Sequence, residues 1–312
     1  MANLQLIKKL REATGCGIAD CNKSIKECGE DSYEDCVAWL RKKGLSKAAK
    51  KSGRVTSEGL VGIYSEGNKT SIVEVNSETD FVAKNDKFQA IVKEVAKASI
   101  KIDASTPKEE YVEKLKDVTL DSGKKVADFL AENIGVIGEN ISLRRGKTLE
   151  MKEEGKIVSY LHNSVGEGLG KIGVLVALKS TADKTKLEEF GKKLAMHIAA
   201  TKPEYLKIEE VDQAKLDKER EILSVQAKAS GKPENIIEKM MIGRIRKYYE
   251  QVVLLEQFFV MDDKKKVSTV LEEFKKENGA SIEIQEYAIF VLGEGIEKEA
   301  NNFAEEVASM SK

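Results

Sequence analysis

Between Gly59 and Val75 the residues alternate and are rich in β-branched types, and a Gly67-Asn68 pair interrupts them midway. That pattern predicts a β-hairpin, because alternate side chains of a strand share a face and Gly/Asn pairs suit the tight turn. From Phe88 the period lengthens. Phe88, Ile91, Val92 and Val95 recur at steps of three and four and predict an amphipathic helix. Thr79-Asp80-Phe81-Val82 falls at the junction, where Thr79 or Asp80 can cap the new helix by accepting from its free N–H groups. Phe81 has two readings. It can staple the start of the helix to the core, or stand exposed beside a carboxylate as an anchor for a partner.

Ahead of the hairpin, three short apolar stripes mark helices: Leu4, Ile7 and Leu10; Ile18, Cys21 and Ile25; Cys36, Val37 and Leu40. They are expected to stop before Gly15, at Gly29 and at Gly44, with Asp31 or Ser32 capping the third. Residues 1–45 would then form a small module held by mutual packing, followed by a basic linker at 46–56. The hairpin-plus-helix pattern returns at Ile157–Thr201. Aligning Phe88 with Phe190 pairs Val75 with Ala177 and Thr79 with Thr181. This predicts a duplicated α/β core, residues 57–150 and 151–207 with 256–292, each half placing helices on one face of an antiparallel sheet. The second copy reads Thr181-Ala182-Asp183-Lys184 where the first has Thr79-Asp80-Phe81-Val82, so the aromatic is unique to the first. Between the copies, Ser105–Val118 and Gly123–Ile137 read as helical and Asn140–Glu150 as a strand.

Val211–Ala229 and Glu234–Leu255 read as helices joined by Ser230-Gly231-Lys232-Pro233. Ile237, Met241, Ile245, Tyr248, Val252 and Leu255 form a seam at steps of four and three, faced by Leu216 and Leu223. An antiparallel coiled-coil hairpin inserted at 208–255 follows. Phe258–Met261 and Ile282–Leu292 then return the chain to the sheet around a helix at Val267–Glu277. Ala288–Leu292 is the candidate buried strand. Residues 293–312 close the chain as a helical module. The fold class is α+β.

Composition narrows the function. A chain of 312 residues can bury a substantial core and hold two or three domains. Its 52 Lys/Arg nearly balance 53 Asp/Glu, as in charge-rich helical proteins. The most apolar run, Val252–Leu255, is broken by Glu256, so no membrane segment is expected. No signal peptide is read before the first helix, and a cytoplasmic location is the expectation. Cys16, Cys21, Cys28 and Cys36 are neither paired as Cys-x-x-Cys nor close to His162 or His197. They read as reduced, small core residues rather than zinc ligands. Lys/Arg outnumber Asp/Glu by 12 to 7 over residues 1–54, largely through Arg41–Arg54. A solvated connector accounts for this, as does attraction to an acidic surface or RNA, although no interleaved aromatics support base stacking.

Val165-Gly166-Glu167-Gly168-Leu169-Gly170-Lys171 fails as a nucleotide site. A phosphate loop needs Gly where Val165 stands and Ser/Thr where Ile172 stands. A dinucleotide fingerprint needs Gly at 171 and a helix after it. No direct nucleotide binding, metal or cofactor is expected. Two histidines and no nucleophile–base motif argue against an enzyme.

Three strings carry a family resemblance: Glu74-Val75-Asn76-x-x-Thr79-Asp80-Phe81-Val82-Ala83, Thr14-Gly15-Cys16-Gly17-Ile18-Ala19-Asp20-Cys21-Asn22-Lys23-Ser24, and Ala195-Met196-His197-Ile198-Ala199-Ala200-Thr201-Lys202-Pro203-Glu204-Tyr205. Each closely resembles a signature of the elongation factor Ts family. Gly293-Glu294-Gly295-Ile296-Glu297-Lys298 and the tail to Met310 resemble its C-terminal module, so the resemblance covers the chain. The departures are an extended segment near Ile102–Gly123 and the loop Asn163–Gly170. The resemblance implies a ubiquitin-associated-like N-terminal module, a coiled-coil insert used for partner contact and in some members for homodimerisation, and guanine-nucleotide exchange on elongation factor Tu. It assigns Thr79, Asp80, Phe81 and Val82 to dislocation of Mg²⁺ from that GTPase, and Met196 and His197 to further contact with it. An RNA- or ribosome-binding accessory protein is the alternative.

Overall fold

A computed structural model describes residues 4–29, 32–228 and 234–297. The expected caps at Asp31, the hairpin tip at 229–233 and the closing tail at 298–312 lie outside these residues. The fold is α+β with antiparallel sheets. Helices α1 (Leu4–Thr14), α2 (Ile18–Cys28) and α3 (Tyr33–Lys51) pack around Leu6, Leu10, Cys21, Ile25, Cys36 and Leu40. The cysteines are free thiols. Ser32 makes no side-chain cap.

Gly44 does not end α3. The helix runs seven residues further, so most of the expected linker is helical. The reason is tertiary. A Cβ on Gly135 would lie 2.8 Å from the Gly44 Cα, so the two glycines mark the point where α3 crosses α7 (Val126–Ile137). The missing side chains permit the close approach.

The first half contains β1 (Glu58–Glu66), β2 (Lys69–Ser77), the one-turn helix α4 (Asp80–Ala83), α5 (Asp86–Ser99), α6 (Lys108–Asp117), α7 and β3 (Ile141–Glu150). The second contains β4 (Gly155–His162), β5 (Leu169–Gly170), β6 (Ile172–Ser180) and α8 (Lys184–Thr201). After the insert formed by α9 (Gln213–Lys228) and α10 (Glu234–Val252), it continues through β7 (Phe258–Phe259), β8 (Asp262–Lys266), α11 (Val267–Asn278) and β9 (Ile282–Val291). The sheets run β3-β2-β1-β5 and β4-β6-β9. The Gly-rich loop therefore supplies β5, a short strand that the second half lays against β1 of the first.

Alternation along the central strands explains the layering. Val73 and Val75 of β2 pack toward α5, whereas Ile72 faces the other sheet; Val174, Val176 and Leu178 of β6 pack in the α8 core, whereas Leu175 and Ala177 meet Ile72. The result is helix, sheet, sheet, helix, with both faces of β2 and β6 buried. The two halves repeat one pattern of strands and helix, at an offset of 103 residues, one more than the aromatic alignment gives. Strands β2 and β6 then superimpose end to end, and so do their bulges after Glu74 and Ala177. Buried Phe88, Ile91, Val92, Val95 and Ala96 of α5 match buried Gly191, Leu194, Ala195, Ile198 and Ala199 of α8. Phe190 is only half-buried and stacks on Phe274 of α11 at 4.6 Å between ring centres, so it is not the partner of Phe88.

Two further expectations change. Phe258–Met261 does not rejoin the main sheet; β7 pairs with β8 in a separate ribbon. Of Ala288–Leu292 only Phe290 is buried, because β9 is an edge strand. Of the expected seam, Ile237, Met241, Ile245, Tyr248 and Val252 are half-buried on α10, whereas Leu255 lies beyond the helix and packs against the second-half core. The base of the insert is closed by backbone: Glu204 and Tyr205 N–H both donate to Val252 O, and Leu254 N–H donates to Tyr205 O at 2.8 Å. Val253 and Leu254, read from sequence as part of the insert, are fully buried in the core. Replacing residues 211–251 by a short Gly/Ser loop should therefore leave the core folded, with a melting temperature within a few degrees of the parent chain. Loss of the cooperative transition by calorimetry would show that the insert is part of the core.

Candidate partner-binding site

Thr79-Asp80-Phe81-Val82 forms the turn between β2 and α5. Thr79 caps α4: its backbone is extended and its Oγ1 accepts from the Val82 N–H. Val82 and Ala83 point inward and are buried in the first-half core. Lys84 ends the turn, and Asn85 caps α5 afresh by accepting from the Lys87 N–H at 2.8 Å. Phe81 is left outside, 79% exposed. A staple would be buried, so the structure resolves the two readings in favour of an exposed ring.

The turn is braced from a segment some sixty residues away. Glu139 accepts from Thr79 N–H at 3.0 Å and from Thr79 Oγ1 at 2.7 Å. In return Glu78 accepts from Asn140 N–H at 2.6 Å. Two carboxylates thus cross between Glu78-Thr79 and Glu139-Asn140, and Arg54 lies beside Glu78. Sequence reasoning missed Glu139. The signal available was its position just after Gly138, whose left-handed backbone ends α7.

Asp80 has a counterpart once the register is corrected. Asp183 stands at its place in the second half and caps α8, accepting from Thr185 and Lys186 N–H. In the first half Thr79 does the capping, so the Asp80 carboxylate is free for other contacts. Lys84 Nζ donates to it at 2.7 Å and lies 5.9 Å from the centre of the Phe81 ring. That hydrogen bond holds the Asp80 carboxyl below its usual range. The site is an exposed aromatic flanked by an ionised carboxylate and an ammonium group, on a turn whose backbone is fixed.

The family model described as Elongation factor TS matches residues 78–294, starting one residue before the turn. The chain is 52% identical over 309 residues to elongation factor Ts of Rhodospirillum rubrum, covering 98% of this chain and 97% of that protein. It is 49% identical over 308 residues to that of Rhizobium etli, with the same coverage. It is 51% identical over 307 residues to that of Paramagnetospirillum magneticum, covering 98% and 96%. The chain belongs to the elongation factor Ts family. It is a translation elongation factor, a component of protein biosynthesis. Among the described residues no helix is long and apolar enough to cross a membrane.

The second set of family residues separates in space. Met196 is 40% exposed, but His197 is fully buried. His197 Nδ1 accepts from the Val260 N–H at 3.2 Å, its Nε2 lies 3.0 Å from Gln257 Oε1, and its ring stacks on Phe259. An accepting Nδ1 requires the neutral Nε2–H tautomer. His197 thus has no exposed face of its own. It holds the β7–β8 turn, where Phe258, Val260 and Met261 are exposed as Met196 is. The other histidine, His162, is exposed and bonds Tyr160.

Burial pushes the His197 imidazole below its ordinary value. As pH falls below about 6.5 the unfolded chain takes up the proton first, so the His197 contribution to stability is present above that pH and lost below it. Wild type should exceed His197→Gln in melting temperature at pH 7, and the gap should narrow toward pH 5. A gap independent of pH would show that the imidazole carries no such linkage.

Proposed function

We propose that the chain is a guanine-nucleotide exchange factor for elongation factor Tu, acting in the cytoplasm without covalent chemistry. The exposure of Phe81 on a braced turn carries this reading, together with the family to which the chain belongs. A GTPase holds its diphosphate through backbone amides of the phosphate loop, a Lys and a Mg²⁺. Phe81 enters between two helices of the partner's nucleotide-binding domain, and Asp80 hydrogen-bonds alongside. Burying an aromatic side chain contributes about 1.5–3 kcal/mol, which offsets the separation of those helices. Movement of the helix that supports the Mg²⁺ ligands weakens the metal and then the nucleotide. Thr79 and Val82 serve by holding the turn rather than by touching the nucleotide. Met196 and the β7–β8 turn give a second contact, with His197 beneath it as support. No cofactor is needed. The coiled-coil insert is available for partner contact or for pairing of two copies.

The experiment is direct. Elongation factor Tu loaded with fluorescent GDP is mixed with the chain and excess GTP, and release is followed in time. Release that quickens in proportion to the chain and then saturates is expected; release at the intrinsic rate would refute exchange.

A further inference from the structure

Glu74 is a fully buried carboxylate on β2, two residues from Ile72 and on the same face, which meets the second sheet. Two guanidinium groups reach it. Arg144 Nη1 donates to one oxygen at 3.0 Å and Arg145 Nε to the other at 2.6 Å. Neighbours on a regular strand point to opposite faces. Here a bulge removes the alternation: Glu74 pairs with Arg145 and Val75 with Leu143, leaving Arg144 as the extra residue.

The same groups then grip the end of β9 in the other half. Gly293 N–H donates to Glu74 at 2.9 Å, Arg145 Nη2 donates to Val291 O at 2.8 Å, and Arg144 Nη2 donates to Glu294 O. Arg145 also covers the Phe290 ring, 4.5 Å from its centre. Gly293 has φ 71°, and a Cβ there would fall 2.6 Å from Ser57 O, so glycine is required at this crossing. Burial would push the Glu74 carboxyl up, but the Gly293 N–H and the two arginines outweigh it and hold it ionised.

The duplication supplies a control within the fold. The second-half bulge has Ala177 where Glu74 stands, and Ala177 packs in the apolar layer between the sheets. One bulge therefore carries a plain apolar contact and its twin a buried ion cluster. Stability does not explain the difference, since apolar replacements of buried ion pairs are often neutral or stabilising. Among the described residues Asn76 Oδ1, beside the cluster, is buried with no donor, a further cost. What charged hydrogen bonds add over apolar contact is direction.

We propose that Glu74, with Arg144 and Arg145, fixes the angle at which the two halves dock, and thereby the separation between the Phe81 turn and the Met196–Met261 surface. The functional part of this rests on the exchange reading above. Strand β2 ends three residues after Glu74, two before Thr79, and β3 begins two residues after Glu139, so the clamp acts on the strands that frame the turn. A partner held at two places is bound tightly only when their spacing matches. Glu74, Arg144 and Arg145 are positioning residues.

The test uses the full chain with nitroxides attached through oxime-forming residues at positions 93 and 193, both exposed, one on α5 and one on α8. Wild type should give one narrow distance distribution by pulsed dipolar spectroscopy. Glu74→Gln should broaden it and speed deuterium exchange of the Gly293 amide, while amides in the middle of β2 and β6 stay protected. In nucleotide release from elongation factor Tu, the half-saturating concentration of the variant should rise about tenfold with the maximal rate kept, the scale of one lost polar contact. If Glu74→Gln does not fold, Arg144→Ala, which removes one arm of the clamp, decides on the same readouts. An unchanged narrow distribution would overturn the clamp. A broadened distribution with unchanged release would overturn its role in exchange. If wild type itself fails to release GDP, the exchange reading falls while the distances still judge the clamp.

Discussion

Phe81→Ala should cut the rate of GDP release by about 100-fold, the equivalent of ~2.7 kcal/mol and typical of an aromatic hot spot. The same substitution should move the melting temperature by only about 1–2 °C, because a change at an exposed position alters stability by roughly 0.5 kcal/mol or less. These expectations diverge because the ring is 79% exposed in the free chain, whereas the proposed exchange mechanism buries it against the partner. A core phenylalanine would behave oppositely, losing about 3–5 kcal/mol of stability on truncation. Asp80→Ala should have a smaller effect in the same direction. Calorimetry and release kinetics on the two variants separate these cases, and a large fall in melting temperature for Phe81→Ala would identify it as a staple after all.

The position of Phe81 also shows where sequence reasoning stops. Phe81 and Phe88 are seven residues apart, close to two helical turns, so a continuous helix would put both on one face. Only the interruption at Lys84, with Asn85 starting α5 afresh, turns Phe81 outward. Periodicity cannot report that break, because Asn caps and Asn within a helix look alike in a short window. The hairpins, the amphipathic helices and the coiled seam were legible because each is a regular pattern imposed by one buried face. Thr79 as a cap was legible for a local reason, its hydroxyl and its place after a strand.

What was hidden depends on contacts distant in sequence. The Glu139 brace joins polar residues sixty positions apart and leaves no periodic trace. Gly44 looked like a stop, yet it is the site where α7 crosses α3. Matching aromatics gave a register one residue short, whereas matching buried positions gives 103, since α8 packs Gly191 where α5 packs Phe88. The family string contains His197, but the partners of its ring are Gln257 and, in the later β-ribbon, Phe259 and Val260. The exposed residues at that second surface are Met196 and the turn that His197 supports.

Exchange has a thermodynamic signature that no resemblance can supply. If the chain weakens the hold of elongation factor Tu on Mg²⁺·GDP, then Mg²⁺·GDP must weaken the hold of elongation factor Tu on the chain by the same factor, because coupling free energy is reciprocal. A coupling of two decades corresponds to about 2.7 kcal/mol. Phe81→Ala should shrink that coupling, since it removes the contact proposed to distinguish the loaded from the empty partner. Titration calorimetry of the chain into elongation factor Tu, nucleotide-free and then with rising GDP and Mg²⁺, measures it. The account predicts tightest binding to the empty GTPase and an affinity that falls about 100-fold as GDP and Mg²⁺ saturate. Equal affinity for the empty and loaded forms would contradict exchange by displacement.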